Sequence, residues 1–156
     1  MLIPLIIRSI FVLAIVLLCL FKPNASRIFL GFFFLIMAIG VNGSFTFGNP
    51  QAYIDYASGA LVPFYRDLAL YVVKIYPTIF GVLLIAYEIA MGLLLIHKQR
   101  TVKIGLTDTM LFLIGITPLS ILHIPWLELI IGEAYLLKKN FNTTFLEMVS
   151  AKFRSS

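Results

Sequence analysis

The feature that most constrains this chain is a series of long apolar stretches with few or no charged residues. They cover residues 2–21, 28–41 with a continuation toward residue 47, 77–96, 104–122 and 124–137. A transmembrane helix needs about 20 consecutive apolar residues, because the hydrocarbon core of a bilayer is about 30 Å thick. The fifth stretch is shorter than this and crosses only if it tilts little or the bilayer thins locally.

The composition excludes the other broad classes of protein. Apolar residues make up 61% of the chain and charged residues 12%, whereas soluble domains carry about 25% charged residues. A domain of about 150 residues leaves about 30% of its unfolded-chain surface in water, so it cannot bury this many apolar side chains. The sequence therefore predicts an all-α, polytopic membrane helix bundle with four core transmembrane helices plus an N-terminal helix.

We divide the chain into three segments. Residues 1–23 are predicted to form an N-terminal transmembrane helix, for which a signal-anchor or a cleaved signal peptide is the open alternative. Residues 24–138 form the bundle, and Ser26 is a reasonable N-cap for its first helix. Residues 139–156 form an amphipathic cytoplasmic tail, in which Thr144 and Glu147 have the spacing of a capping box.

Residues 44–76 form the least apolar interior stretch and are rich in aromatic side chains. Rings of this kind prefer the headgroup level of a membrane, so we expect an interfacial segment. Gly59 and Pro63 should break it into one or two short amphipathic helices. The aromatic residues are Phe45, Phe47, Tyr53, Tyr56, Phe64, Tyr65, Tyr71 and Tyr76.

The basic residues lie in clusters between the apolar stretches, at residues 22–27, 98–103 and 138–154. With five spans all three clusters fall on one side, with nine basic residues against three on the other. The positive-inside rule then predicts a multi-pass cell-membrane protein with its N-terminus outside and its C-terminus in the cytoplasm. The net charge of +5 thus reflects the orientation of the chain in the membrane. No nucleic-acid partner is expected.

Several kinds of site are not expected from the sequence. Cys19 is the single cysteine, so no internal disulfide or C-x-x-C pair can form. We expect it to be a small apolar residue in a lipid-facing helix. His97 and His123 fall at opposite membrane faces and cannot share a metal or a haem. No nucleophile, phosphate-loop or zinc-protease motif occurs, so neither catalytic nor metal-binding residues are predicted.

Glu88 is the most informative polar residue, because it lies at the middle of the third apolar stretch. A charge at the bilayer centre costs about 2.5–3.5 kcal/mol on insertion scales, so such residues are usually buried, paired or protonated. Gly81 and Gly92 share its helix face, and glycines let another helix approach closely. Glu88 should therefore point into the bundle, either to join two helices or to contact a ligand.

Three further carboxylates fall within the predicted spans and are candidates for buried polar or proton-handling groups. Asp108 lies about one turn from the cytoplasmic end of the fourth span, where Arg27, Lys103 or water can compensate its charge. Glu128 and Glu133 lie on the fifth stretch, and their spacing separates them by roughly 140° around a helix. An acid–base pair from this helix alone is therefore not expected.

Two parts of the sequence resemble DoxX-like membrane proteins. The stretch NASRIFLGFFF at residues 24–34, followed by AIG at residues 38–40 and the aromatic segment, resembles the first helix of that family. The stretch YEIAMGLLL at residues 87–95, followed by the basic KQRT at residues 98–101, resembles its second helix and loop. The resemblance covers roughly residues 24–138.

The resemblance implies a compact bundle of four helices, which an extra helix precedes in this chain. One branch of the family resembles a membrane subunit of thiosulfate:quinone oxidoreductase, and other members are linked to membrane redox partners. By this resemblance, Arg27 and Glu88 are the family-type polar positions inside the bundle. Relatives often carry His or Lys shortly after the glycine that ends the first helix, where this chain has Asn42.

These observations favour a non-catalytic membrane subunit, or a protein that binds a quinone or lipid, attached to a membrane redox system. If it is part of an enzyme, we expect the membrane subunit of a quinone-linked oxidoreductase. A quinone, held non-covalently, is the candidate cofactor. The expected partners are the lipid bilayer, a membrane or peripheral redox protein and a second copy of the chain. The candidate ligand-binding residues are Glu88, Arg27, Asn42, Tyr53, Tyr56 and Trp126.

Two other classes of function stay open at this point. Four intramembrane carboxylates are compatible with a small proton-coupled transporter. A purely structural partner of another membrane protein is the third hypothesis.

Overall fold

The structure of the protein, a computed structural model, describes residues 2–154, which form helices and no strands. The predicted all-α architecture is therefore confirmed. Met1, Ser155 and Ser156, which belong to the predicted terminal segments, lie outside the described residues. The helices are α1 (Leu2–Phe21), α2 (Pro23–Ile36), α3 (Gly43–Gly48), α4 (Gln51–Ser58), α5 (Pro63–Val73), α6 (Pro77–Ile96), α7 (Arg100–Ile116), α8 (Trp126–Leu137) and α9 (Phe145–Arg154).

Four helical segments in the described part of the chain are long and apolar enough to cross a membrane. They are Leu2–Phe21, Pro23–Gly48, Pro77–Ile96 and Arg100–Leu119. The second is one continuous rod, in which a π-helical turn at Met37–Asn42 joins α2 to α3. The fifth predicted span is α8, whose 12 residues extend about 18 Å. By itself α8 is therefore shorter than the hydrocarbon core of a bilayer.

The turn between α1 and α2 is shorter than the sequence suggested. α2 begins at Pro23, with Lys22 at its N-cap, because proline is well suited to the first position of a helix. The prediction of Ser26 as N-cap is therefore wrong. Ser26 lies inside the first turn, where its hydroxyl donates a hydrogen bond to the carbonyl of Pro23 at 2.9 Å.

Glycines set the close contact between α2 and α6. A Cβ added at Gly31 would lie 2.9 Å from the carbonyl oxygen of Gly92, and one at Gly92 would lie 2.8 Å from that of Gly31. Side chains at these positions would push the two helices apart. The glycine-bearing face of α6 is thus a packing face, and it carries Glu88 into the bundle with 2% of its surface exposed.

The helix α8 packs mainly against α1 and also contacts α7. A Cβ at Gly132 would lie 3.1 Å from Sγ of Cys19, so small residues on both helices allow this approach. Cys19 is fully buried. Within α1 it lies on the side that α8 covers, while most residues of this helix are exposed.

The aromatic segment forms most of α3 and two short helices, α4 and α5. The break between α4 and α5 falls at residues 59–62, next to Gly59 and Pro63 as predicted. α4 buries Tyr53 and Ala57, and α5 buries Val73. These helices pack on the bundle with part of their surface, and the remaining side chains are exposed. Their predicted position at the membrane interface stays a prediction.

The tail meets the α1–α2 turn and the α6–α7 loop at one end of the bundle. The backbone amide of Gln99 donates a hydrogen bond to the carbonyl of Phe141 at 2.7 Å. Lys98 forms an ion pair with Glu147 at 2.6 Å. The capping box of α9 is confirmed, since Thr144 N–H donates to Glu147 Oε2 at 2.7 Å and Glu147 N–H donates to Thr144 Oγ1 at 3.2 Å. The three basic clusters of the sequence thus lie at the same end of the molecule.

Candidate ligand-binding cavity

A cavity of about 560 Å³ lies among the π-helical turn and helices α3–α7. Its walls are mostly apolar and aromatic, with Val72, Leu84 and Leu111 as representative lining residues. Ligand pockets typically have volumes of about 300–1,000 Å³. The lining positions on α6 run from Phe80 to Glu88, which corresponds to about 12 Å along the helix axis. These dimensions suit a compound of one or two fused rings.

Two hydrogen bonds and one glycine shape the part of the cavity between α5 and α7. The carbonyl of Pro118 accepts a hydrogen bond from the amide of Leu61 at 2.8 Å, and Tyr65 donates its hydroxyl to the carbonyl of Gly115. These bonds attach the start of α5 to the end of α7. Gly115 itself lines the cavity, and a Cβ there would meet no atom within 4 Å. The absence of a side chain at Gly115 therefore contributes directly to the volume.

A chain of hydrogen bonds ends on Glu88 at the cavity wall. The side-chain amide of Asn42 donates to Glu88 Oε2 at 2.7 Å. Tyr53 donates its hydroxyl to the Asn42 backbone carbonyl at 3.1 Å and lies 3.3 Å from Asn42 Oδ1. Thr46 Oγ1 lies 2.9 Å from the Tyr53 hydroxyl. The polar groups that α3 and α4 bury thus support the amide that contacts Glu88.

The π-helical turn positions Asn42. A π-helical turn closes i→i+5 hydrogen bonds and often occurs at functional sites. One residue more per turn rotates every later position by about 100° relative to a regular α-helix. Asn42 is the last residue of this turn and is 7% exposed. Asn42 and the following helix, α3, therefore face α6 because of the π-helical turn.

Tyr56 and His123 stack at the end of the cavity that α4 and the turn before α8 form. Their ring centroids are 6.3 Å apart and their planes differ by 4°. His123 Nδ1 lies 2.9 Å from the carbonyl of Ile116. Burial lowers the pKa of His123, which favours the neutral imidazole at physiological pH. This end of the cavity is therefore polar but uncharged.

The structure brings together four of the six predicted ligand-binding residues. Asn42, Tyr53, Tyr56 and Glu88 line the cavity. They come from the π-helical turn, from α4 and from α6, which are separate segments of the sequence.

Arg27 lies at the other end of α2 and does not line this cavity. Its side chain is fully buried and donates to the carbonyls of Leu95, His97 and Thr143 at 3.0, 2.6 and 2.5 Å. It also donates to Asn24 Oδ1 at 3.0 Å and packs over the ring of Phe141. Arg27 thus joins α2, α6 and the tail, and the structure does not bring it to this cavity with Glu88.

Trp126 is also separate from the cavity. Its ring packs against Phe33, with centroids 5.5 Å apart, and against Phe11 at 6.4 Å. These contacts join the start of α8 to α1 and α2. Trp126 thus packs between helices and is not brought to this cavity with Glu88.

The remaining carboxylates lie on different parts of the bundle. Glu133 is fully buried and accepts a hydrogen bond from Thr109 at 3.0 Å, whereas its Oε1 has no partner among the described residues. Glu128 is exposed in the first turn of α8. Asp108 is half-buried on α7. Glu128 and Glu133 therefore face different surroundings, as their spacing predicts.

A second concavity lies near the start of α2 and is lined by Lys22, Asn24 and Met148, among others. Its volume of about 650 Å³ exceeds that of the cavity at Glu88. It is a wide depression between α2 and α9, however, and it encloses no buried acid or aromatic cage. We therefore take the cavity at Glu88 as the candidate site.

Sequence reasoning missed several lining residues. Tyr65, Tyr87, Phe112 and Gly115 all line the cavity. The helical spacing of Phe112 and Gly115 on α7 was a usable signal, because both share a face with Asp108. No group of three or more metal-ligating side chains is found among residues 2–154.

Comparison of this chain with protein-family models, with curated proteins and with solved structures gives no match. The site must therefore be interpreted from its own geometry.

Proposed function

We propose that this chain is a non-catalytic membrane protein that binds a lipophilic ligand, a quinone or another ring-bearing lipid, in the cavity between α3 and α7. The observation that carries the proposal is a cavity of about 560 Å³ with a buried carboxyl group in its mostly apolar wall. Ligand sites of this kind combine apolar walls with few polar groups that fix orientation. Here Glu88, Asn42 and Tyr53 supply the polar groups.

A quinone fits this wall chemically. Its rings pack against aromatic side chains, and offset or edge-on contacts between rings add to the stabilisation from burial. Its carbonyl oxygens accept hydrogen bonds from hydroxyl groups, and its reduced form donates them to a carboxylate. Tyr56, Tyr65 and Tyr87 line the cavity. The hydroxyls of Tyr65 and Tyr87 donate to the carbonyls of Gly115 and Asp108, so Tyr56 is the candidate donor among them. The resemblance to DoxX-like proteins supports the same ligand class and a membrane or peripheral redox partner.

The proposed orientation places the Arg27 end of the bundle in the cytoplasm. The α1–α2 turn, the α6–α7 loop and the tail are all basic and meet there. A cell-membrane location with the N-terminus outside follows from the positive-inside rule.

Filling the cavity tests the proposal. In nanodiscs, the protein should bind menadione, a two-ring quinone without a long tail. Gly115→Phe places a ring in the cavity from a position where a Cβ meets no atom within 4 Å, so menadione binding should weaken at least tenfold. The measurement is equilibrium binding, corrected for partition into empty nanodiscs.

Gly40→Phe is the matched control. Gly40 lies in the same bundle, is exposed outside the cavity and has no atom within 4 Å of an added Cβ, so this variant should bind menadione like the parent. Both variants should unfold at the parent temperature. Equal menadione affinity of Gly115→Phe and the parent would show that this cavity is not the ligand site.

A further inference from the structure

The cavity contains one acidic side chain and no basic one. Among the lining residues within the described chain, Glu88 is the single carboxylate, and neither lysine nor arginine is present. His123 also lines the cavity, and burial lowers its pKa toward the neutral form. The walls therefore offer a ligand one negative charge and nothing positive. A phosphate or carboxylate headgroup would meet repulsion here.

Glu88 has no cationic partner in the described part of the chain. The ion pairs found among residues 2–154 join Arg66 to Asp67 and Lys98 to Glu147, and both lie at the surface. The single hydrogen bond to the Glu88 side chain in this range comes from the neutral amide of Asn42. A carboxylate buried within a membrane is usually paired. The charge of Glu88 must therefore be neutralised by a proton or balanced by a cationic ligand.

Seven aromatic side chains share the cavity wall with Glu88, and Phe45, Phe80, Tyr87 and Phe112 are among them. The face of an aromatic ring attracts a cation, and rings arranged around a pocket recognise quaternary ammonium groups. A carboxylate surrounded by many aromatic rings is therefore an arrangement that stabilises the positive charge of an organic cation in apolar surroundings. Neither feature alone would distinguish a cation from a neutral ring compound.

We propose that the cavity selects a lipophilic organic cation, such as an aromatic amine or quaternary ammonium compound, with Glu88 as its counter-charge. This inference rests on the proposed function, because it specifies the charge of the ligand that the cavity binds. The aromatic residues surround the cationic group, and the apolar residues of α5 and α7 contact the rest of the ligand. Asn42 holds the carboxylate in place through Oε2.

Two isosteric compounds separate the effect of the ligand's charge on binding from the effect of its shape. Benzyltrimethylammonium and neopentylbenzene have the same shape, and they differ in that a positive nitrogen replaces a neutral carbon. Binding of both is measured to the whole chain in nanodiscs of zwitterionic lipid, with partition into empty nanodiscs subtracted. The parent protein should bind the cation at least tenfold more tightly than the hydrocarbon.

Glu88→Gln removes the charge and keeps an acceptor oxygen for Asn42. This variant should bind both isosteres with similar affinity, and a cooperative thermal unfolding transition like that of the parent shows that it is folded. Glu128→Gln is the matched control, because it makes the same change at an exposed carboxylate of α8. It should keep the tenfold preference of the parent.

The other outcomes separate the two proposals. If the parent binds menadione but prefers the hydrocarbon or does not distinguish the isosteres, the cavity takes neutral ligands, and the charge assignment is wrong. The same conclusion follows if Glu88→Gln keeps the full preference for the cation. If the parent binds none of the three compounds, the proposed function is wrong and the charge assignment with it.

Discussion

At the scale of single residues, buried polar groups have two distinct roles in this protein. Arg27 is fully buried and its guanidinium is surrounded by backbone carbonyls, Asn24 and the ring of Phe141. Its planar fork suits this purpose, because it presents five donors in a fixed geometry. Glu88 instead has one neutral partner and lines a cavity. The first residue joins segments of the chain, and the second is placed to meet a ligand.

We expect Arg27→Ala to lower the free energy of unfolding by about 3 kcal/mol, since it removes a fully buried side chain and leaves the carbonyls of Leu95, His97 and Thr143 without their donor. Arg27→Lys should cause a smaller loss, because its ammonium group still donates to some of these carbonyls. A loss remains because this group cannot reach all three carbonyls at once. Reversible unfolding in mixed detergent micelles measures both changes.

Arg100→Ala is the control for this experiment, because Arg100 is an exposed arginine at the start of α7. Its effect should stay within about 0.5 kcal/mol, as is usual for surface positions. Equal stabilities of the Arg27→Ala and Arg100→Ala proteins would contradict the role of Arg27 as a joint between α2, α6 and the tail.

At the scale of secondary-structure elements, α9 is attached to the bundle by a small number of contacts. None of its residues is buried. The ion pair between Lys98 and Glu147 and the edge contact between Phe32 and Phe145 connect it to the α6–α7 loop and to α2. Attachment of α9 should therefore depend on the charge of Glu147.

The hydrogen bond from Lys98, together with that from the Thr144 amide, lowers the pKa of Glu147 below its ordinary value. A carboxyl group with a lowered pKa stabilises the attached state above its ordinary pKa, and this stabilisation is lost as the pH falls through the lowered one. We expect α9 to stay attached at neutral pH and to detach in acid, below about pH 4.3. Amide hydrogen exchange of residues 145–154 as a function of pH measures the change.

Glu147→Gln supplies the reference for this titration. Without an ionisable group at residue 147, exchange of α9 should already be faster at neutral pH and should lack the acid-dependent step. The assignment fails if the parent and the variant show the same pH profile.

At the scale of the whole molecule, all three basic clusters lie at one end, although they are separated by about 35–70 residues in sequence. Contacts of Arg27 with His97 and Thr143 join them directly. Since cytoplasmic loops of membrane proteins are enriched in lysine and arginine, this end should face the cytoplasm. The loop between α3 and α4 then lies on the outer side.

Cysteine labelling of intact cells tests this orientation. A membrane-impermeant maleimide should label Asn49→Cys, in the exposed turn after α3, and should not label Ser150→Cys, on the exposed side of α9. Both variants should react once the cells are opened. The parent chain is the background control, because its Cys19 is fully buried. Labelling of Ser150→Cys in intact cells, with Asn49→Cys protected, would reverse the topology.

The candidate site could be predicted from the sequence only in part. The spacing of Gly81, Glu88 and Gly92 indicated a packed helix face, and Glu88 is indeed buried there. The resemblance to DoxX-like proteins grouped Arg27 with Glu88 as polar positions inside the bundle. It could not show that their depths differ, since the partners of Arg27 lie 68 to 116 residues away along the chain.

The sequence by itself determined the helical character of this protein and its capacity to enter a membrane. Both depend on the length and polarity of continuous stretches, which are local properties of the chain. Only the tertiary structure decided which polar groups meet and where a cavity remains. Each residue turns a helix by about 100°, so one π-helical turn changes which side chains of the following helix face the bundle. The contact between Asn42 and Glu88 depends on that rotation together with the close approach of two helices at their glycines.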